Sequence, residues 1–330
     1  MKNYPVSIIV PIYNVEKYIE KCVVSLFEQD FKEIEYIFVN DCTPDNSIEI
    51  LEKIIEKYPN RKTYIKIIHH QENKGLSSAR KSGLEEATGE YIIHIDSDDW
   101  CEGDMISSFY STAKETKADI VTSDIFLCWE NKKKKYEKQN FNQDISKIQR
   151  DILQGYITPS LCNKFIKKSL YTQNKIIPEI GINFVEDRLL IVQLFCVAKK
   201  SVHINKAFFY YRQDNQLSIM NNLDTKCYED LKKYREVLEK FFEKQKNKDI
   251  NKENLYIGIL LMILWFTKGK NYKSILQKVS PKSDKLSYIW KASGVSFFGK
   301  IGYTFAFFNM DFITFSLFGL KDFLLKIIKK

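Results

Sequence analysis

Several signatures are missing from this 330-residue sequence, and each absence removes a class of function. The seven cysteines (Cys22, Cys42, Cys101, Cys128, Cys162, Cys196, Cys227) contain no C-x-x-C pair and lack the dense spacing of a disulfide scaffold. They read as reduced thiols, which points to the cytosol. There is no G-x-G-x-x-G, no G-x-x-x-x-G-K-[ST] and no H-E-x-x-H, which argues against the dinucleotide fingerprint, the P-loop and the zinc peptidases. No internal repeat is visible, so a solenoid is not expected. The opening "MKNYPVSIIVPIYN" carries one lysine and a short apolar run broken by Pro11; it fits a first strand better than a secretory h-region.

What is present suffices for one large domain or two ordinary ones, since 44% of the residues are hydrophobic. The net charge is +9, and its placement matters more than its size. Residues 254–330 hold twelve lysines against Asp284, Asp311 and Asp322, so the excess belongs to the tail and the first 253 residues balance. A basic surface attracts nucleic acid or anionic lipid. Here the lysines lie among aromatic and aliphatic runs rather than along a polar groove, which speaks for lipid and against nucleic acid.

Short β-branched or aromatic runs at 6–12 (VSIIVPI), 35–40 (EYIFVN), 63–68 (TYIKII) and 91–95 (YIIHI) read as strands. Between them, residues 15–29 and 47–58 place apolar side chains at helical spacing. The alternation predicts right-handed β-α-β units and a largely parallel sheet, with ligands at the carboxyl ends of the strands. Beyond residue 101 the pattern predicts a helix at 105–116, a strand at 120–129, a solvated turn at 131–138, a helix at 186–198 and a strand at 203–211. After about residue 220 only helical stretches, at 224–244 and 253–268, and an apolar, basic tail are expected.

Polar clusters fall where the strands should end. "DSDDW" crowds Asp96, Asp98 and Asp99 after the fourth strand. Such carboxylates suit a hard divalent cation, Mg²⁺ or Mn²⁺, that shares oxygen ligands with phosphates; an acidic turn before a helix is the competing reading. "NDCTPDNS" puts Asp41 past the second strand, able to accept from a nucleobase N–H, while the same stretch reads as a turn with Asp45 as N-cap. In "ENKGLSSAR", Gly75 permits an irregular loop, and Arg80 can reach a phosphate, orient the acids or simply lie at the surface. "ED" at Glu186 and Asp187 is either helix N-terminal charge or a source of general base. His94 reads as a packed residue, and His69 and His70 as strand ends.

Taken together, "VSIIVPIYN", "VNDCTPDNS", "NKGLSSARKSGLEEATGEYIIHIDSDDW" and "NFVEDRLL" resemble the family 2 inverting glycosyltransferases in their order, over residues 5 to about 215. The resemblance implies a fold class: α/β, a single Rossmann-like GT-A domain with a mixed, mainly parallel central sheet, plus a helical C-terminal region. The implied boundaries are 1–220 for the catalytic domain, with a nucleotide-binding half (1–100) and an acceptor half (101–220), and 221–330 for the helical region. It implies that Pro11, Tyr13, Asn14, Asp41, Asn73, Arg80, Asp96, Ser97, Asp98 and Arg212 hold the nucleotide sugar. Asp41 would meet the uracil, and Arg212 would steady the diphosphate. Asp96 and Asp98 would hold the metal, Mn²⁺ or Mg²⁺; Asp187 would be the general base; Asp99, Trp100, Lys164 and Glu186 would face the acceptor. One departure is Cys42, where the family commonly has glycine.

The expected reaction is metal-dependent, inverting transfer of one sugar from a UDP-sugar to a glycan hydroxyl. The competing reading is a noncatalytic sugar-nucleotide or glycan-binding partner in a glycan-assembly complex. Residues 301–320 are long enough to span a bilayer, but Asp311 at their centre would cost about 2.5–3.5 kcal/mol. An in-plane anchor on the cytoplasmic face, with the acceptor on a lipid carrier, is the favoured reading; a soluble helical cap or a homodimer interface competes with it.

Overall fold

The computed structural model describes residues 4–130, 134–142, 144–216, 225–267, 271–308 and 310. Its elements run β1 (Val6–Ile12), α1 (Ile19–Phe27), β2 (Ile34–Asn40), α2 (Ser47–Lys57), α3 (Pro59–Lys62), β3 (Ile65–His69), α4 (Leu76–Glu86), β4 (Tyr91–His94) and β5 (Trp100–Cys101). There follow α5 (Met105–Thr116), β6 (Ile120–Cys128), β7 (Lys135–Glu137), α6 (Ile145–Gln154), β8 (Lys164–Lys167), α7 (Lys168–Asn174), α8 (Glu186–Val197) and β9 (Ser201–Arg212). The chain continues as helices α9 (Lys226–Phe242), α10 (Lys248–Thr267), α11 (Tyr272–Val279), α12 (Leu286–Lys291) and α13 (Phe297–Phe307).

One mixed sheet runs in the order β3-β2-β1-β4-β8-β6-β9-β5, with β7 beside β6. The first four strands are parallel, as the alternation requires, and β6 and β9 form a further long parallel ladder. Antiparallel pairing is confined to the shorter ladders made by β5, β7 and β8. The apolar stripe of α1 (Ile19, Cys22, Val23, Leu26, Phe27) is buried, and Tyr36 donates to the Leu26 carbonyl at 2.9 Å, tying helix to strand.

The sheet opens where the chain changes direction. Residues 6–9 of β1 pair with both β2 and β4, but 10–12 pair with β2 alone. Pro11 is tolerated there because a missing N–H costs no ladder bond on the β4 side. The gap lies between carboxyl ends at a topological switch point, the usual ligand crevice of such sheets. At the other end, buried Glu35 is satisfied by Ser7 Oγ (2.5 Å), Thr88 N (2.7 Å), Thr88 Oγ1 (3.1 Å) and the Lys66 ammonium (3.1 Å).

Three elements depart from the sequence reading. The segment at 131–138, expected as a turn, contains β7, whose Tyr136 donates to buried Asp124 at 2.5 Å. Strand β8 inserts antiparallel beside β4, and α6 was not expected at all. A four-residue strand reading KFIK shows too little alternation to be recognised by period.

The described chain divides into two compact units, Met1–Ile148 with Ile157–Leu223, and Gln149–Tyr156 with Asp224–Lys330. In the second, α10 buries Leu255, Ile259, Leu260, Ile263 and Leu264, so the apolar run at 255–266 is chiefly a core helix. Gly258 lets that helix touch the segment 149–156: a Cβ there would lie 1.9 Å from the Leu153 carbonyl oxygen. No helix among the described residues is long and apolar enough to cross a membrane. Of the tail, 301–308 and Met310 are described; Asp311 and Lys321, Lys326, Lys329 and Lys330 lie outside the described residues.

Gly89 tests the packing under the crevice. A Cβ on it would sit 2.4 Å from the Ser7 backbone nitrogen, which β1 cannot move. Gly89→Ala should lower stability by about 1–3 kcal/mol; an unchanged midpoint in urea would contradict this close approach.

Candidate active site

The rim of the crevice is built from loops that leave β1, β2, β3 and β4. After β2, Asp41 is buried, and its carboxylate accepts from His70 Nδ1 (2.7 Å), Lys74 N (2.9 Å) and Gly75 N (2.7 Å). His70 is in turn within 2.9 Å of Ser82 Oγ through Nε2, so this histidine just past the end of β3 braces the loop that follows Asp41. Cys42 follows at φ +57°, in the left-handed region that glycine enters without cost. Gly75 (φ +87°) closes the loop against Asn183, whose Oδ1 would lie 2.6 Å from a Cβ. Asp45 accepts from Ser47 N (3.1 Å) and Ser47 Oγ (2.6 Å), which makes it a brace at the start of α2.

Arg80, on α4, is the centre of the site. It is buried; Nε donates to Glu186 Oε1 at 3.0 Å, and Nη2 donates to Asp96 Oδ1 at 2.7 Å. Of the readings open in the sequence, orienting the acids is the one its contacts satisfy. It ties the end of β4 to the first turn of α8, where Val185 (φ +63°) turns the chain into the helix and sets Asp187 beside Glu186. Burial, opposed by Arg80 and by the Arg188 N–H, holds the Asp187 carboxyl above the usual range. Burial and then the neighbouring Asp187 push Glu186 well above its own.

The acids after β4 are equally crowded. Burial and the Asp96 charge raise Asp98, which accepts from Asn215 Nδ2 at 2.7 Å. Burial and then Asp98 push Asp99 well upward; its Oδ1 accepts from Arg212 N at 2.7 Å, while Oδ2 has no partner. Acids whose negative forms are disfavoured by burial and by neighbouring carboxylates offer the oxygen ligands that a hard divalent cation takes. One oxygen each of Asp96 and Asp99 and the Cys162 sulfur lie within 4.8 Å of one another. Burial keeps the Cys162 thiol protonated, and it donates to Asp96 Oδ2 at 3.3 Å, so it serves as a donor rather than a ligand.

Pro11, Tyr13, Asp41, Asn73, Arg80, Asp96, Ser97, Asp98, Glu186 and Asp187 all line one cleft of about 450 Å³, together with Asn183, Tyr211 and Asn215. That volume is in the range of small-molecule sites. A larger hollow, about 710 Å³, lies at the amino ends of β1 and β4 near Tyr4 and Glu90, away from the acid cluster.

Five expected residues stand elsewhere. Lys164 is wholly buried, donating to Thr158 O (2.8 Å), Ser160 O (2.7 Å) and Asn163 Oδ1 (2.8 Å), and burial lowers its pKa to about 7. It braces the 158–163 loop instead of meeting an acceptor. Asn14 (φ +60°) donates its N–H to Thr43 Oγ1 at 2.8 Å and borders a neighbouring hollow. Asp99 is buried beneath the rim, while Trp100 and Arg212 line a separate groove. His94 is fully buried with neither ring nitrogen partnered, a packed residue as expected. Asn183, Asn215 and Cys162 were not singled out; polar residues without local pattern give no signal until the fold gathers them, whereas Tyr211, in the stretch "FFYYRQDNQLS" that resembles the family's acceptor side, does line the cleft.

Comparison with known proteins agrees with this geometry. The profile described as Glycosyl transferase family 2 matches residues 7–174, more than half of the chain. Glycosyltransferase GlyA of Streptococcus pneumoniae is 31% identical over 220 residues, covering 63% of this chain and 30% of that protein. This chain therefore corresponds to only part of GlyA. Cholesterol galactosyltransferase of Borreliella burgdorferi is 29% identical over 301 residues, covering 87% of this chain and 80% of that one. The crystal structure of S. aureus TarS 1-349 in complex with UDP-GlcNAc superposes with a TM-score of 0.68 at 20% identity, covering 87% of this chain and 81% of that chain. The shared fold is the glycosyltransferase-A fold, with its helical C-terminal region. By its sequence profile, the chain belongs to glycosyl transferase family 2.

Proposed function

We propose that this protein transfers one sugar from a UDP-sugar to a hydroxyl of a glycan acceptor, with inversion at the anomeric carbon. The observation that carries this reading is the single cleft lined by Asp41, Asp96, Asp98 and Asp187. Asp41 sits on the base side and the paired acids on the diphosphate side. Asp187 is the base: it takes the proton of the acceptor hydroxyl as the acceptor oxygen bonds to the anomeric carbon and the bond from that carbon to the diphosphate breaks. Asp96 and Asp98 would hold Mn²⁺ or Mg²⁺, which supplies charge neutralisation for the departing diphosphate. Arg80 fixes Asp96 and Glu186, and through the first turn of α8 it fixes the position of Asp187. In domain terms, residues 1–100 serve the nucleotide, 101–220 complete the site, and 221–330 form the helical region.

The second unit is read as a dock for an anionic membrane surface, with a lipid-linked acceptor and a cytoplasmic, peripheral location. It exposes Trp265 (62%), Trp290 (44%), Phe297 (64%), Phe298 (75%) and Phe308 (58%). Lysines stand among these rings: Lys300 donates to the Trp290 carbonyl at 2.7 Å, and Lys273 lies 4.6 Å from the Phe307 ring centre. Aromatic side chains flanked by ammonium groups suit the boundary between headgroups and acyl chains.

Three outcomes test these assignments. Asp187→Asn should keep UDP affinity while lowering transfer by about 10²–10⁴-fold. In the parent enzyme kcat/KM should rise with pH through a midpoint above the roughly 3.9 of free aspartate, because burial raises Asp187 and only the ionised form accepts a proton. Near-normal turnover of the Asn variant in a UDP-release assay with a panel of UDP-sugars would remove the base assignment.

Arg80→Met leaves Asp96 and Glu186 without their cation and should cost about 3–5 kcal/mol of stability. The folded state already holds the Glu186 proton more tightly than the unfolded chain does, and more so in the variant. The variant's deficit is therefore largest at neutral pH and shrinks as the pH falls. A deficit independent of pH in denaturant titrations would show that Arg80 serves packing alone.

For the second unit, the full chain should sediment with anionic liposomes, and a Phe297→Ser/Phe298→Ser variant should sediment less. Equal sedimentation of both proteins would discard the membrane reading.

A further inference from the structure

Beyond the cleft lies a groove of about 470 Å³ on the opposite face of β9. Tyr211 lines the cleft, whereas its neighbours Tyr210 and Arg212 line the groove, as strand alternation requires. Trp100, Tyr210 and Phe126 stack across β5, β9 and β6: Trp100 on Tyr210 at 5.1 Å and 8°, Phe126 on Tyr210 at 4.8 Å and 22°. Three cations are held against these rings. Lys21 Nζ lies 3.2 Å from the Trp100 ring centre, Lys134 Nζ 4.2 Å from that of Phe126, and the Arg212 guanidinium carbon 5.1 Å from that of Trp100.

Few carboxylates stand directly against them in the groove. Among the described residues neither Lys21 nor Lys134 has a carboxylate within ion-pair distance; Lys134 donates to the Tyr210 hydroxyl at 2.9 Å, and that hydroxyl donates to Glu102. Arg212 donates Nε to the Asp98 carbonyl at 2.9 Å and its backbone N–H to Asp99 Oδ1 at 2.7 Å, while its Nη1 lies 3.9 Å from Asp214 Oδ1. Glu130 is the single carboxylate among the described residues lining the groove. Burial and then the Arg212 charge pull the Lys21 pKa down, whereas the hydrogen bond to Tyr210 holds that of Lys134 up.

The groove also connects to the chemistry. Lys21, Glu130 and Arg212 line both it and a second hollow, which reaches Asn215; Asn215 lines the cleft and donates to Asp98. We propose that this groove binds phosphate groups of an elongated, phosphate-bearing acceptor, holding the stretch that leads to the hydroxyl glycosylated in the cleft. A guanidinium fork and two ammonium groups match phosphate oxygens, and the ring faces help keep those cations in place. The inference rests on the transferase reading and adds the acceptor's chemical class.

The test uses the full chain saturated with UDP and three probes: a phosphodiester-linked glycerol trimer, an uncharged glycerol oligomer of equal length and a galacturonate trimer. Calorimetry should detect the phosphodiester probe alone, with binding lost at high salt. Lys21→Gln/Lys134→Gln should weaken it by at least about tenfold, and Lys21→Arg/Lys134→Arg should restore most of the affinity. Equal binding by the Gln variant, or by the uncharged oligomer, overturns the proposal; galacturonate bound as tightly overturns the assignment to phosphate. UDP affinity measured on the same samples separates the two readings: if UDP binds and the phosphodiester does not, only the groove assignment fails, whereas absence of UDP binding removes the transferase reading itself.

Discussion

The site depends on one buried guanidinium. Arg80 joins Asp96 to Glu186 across elements far apart in sequence, with contacts of 2.7 and 3.0 Å. Burying such a triad is costly in solvation, and hydrophobic residues of the same shape would often be as stable. What the arrangement supplies is position: the strand-end acids and the first turn of α8 are held in register, so Asp187 faces the same cleft as Asp98. A cation shared between two carboxylates also limits the repulsion that crowding Asp96, Asp98 and Asp99 would otherwise cause.

The remaining imbalance is informative. Arg80 answers Asp96 and Glu186, while burial and the Asp96 charge keep Asp98 raised, and burial and then Asp98 keep Asp99 raised. Acids in that condition bind a divalent ion readily, because the ion removes repulsion already stored in the fold. On the opposite face of β9 the sign reverses, and Lys21, Lys134 and Arg212 lean on aromatic rings. A single strand thus separates the acid-lined cleft from the groove that holds these cations.

Much of this was legible in the sequence, for reasons that can be named. The strands of the nucleotide-binding half are short β-branched runs, and the rule that ligands sit at strand ends turned three polar clusters into one predicted rim. Asp41, Asp96, Asp98 and Asp187 do meet in one cleft. What escaped depends on tertiary context. Lys164 was expected to face the acceptor, yet three oxygens draw it inside. Arg212 was expected at the diphosphate, but stacking over Trp100 and a bond to the Asp98 carbonyl place it in the neighbouring groove. The glycine-to-cysteine departure at Cys42 becomes intelligible only with its positive φ, since no local pattern announces a left-handed residue.

The central claim is that the acids at the end of β4 hold a divalent ion which in turn engages the diphosphate. Anomalous diffraction from crystals grown with manganese and UDP addresses it most directly. The account requires an anomalous peak against Asp96 and Asp98, shared with the diphosphate oxygens, while Arg80 keeps its contact with Glu186. UDP bound in the cleft with no manganese at those carboxylates, or manganese held elsewhere, would contradict it.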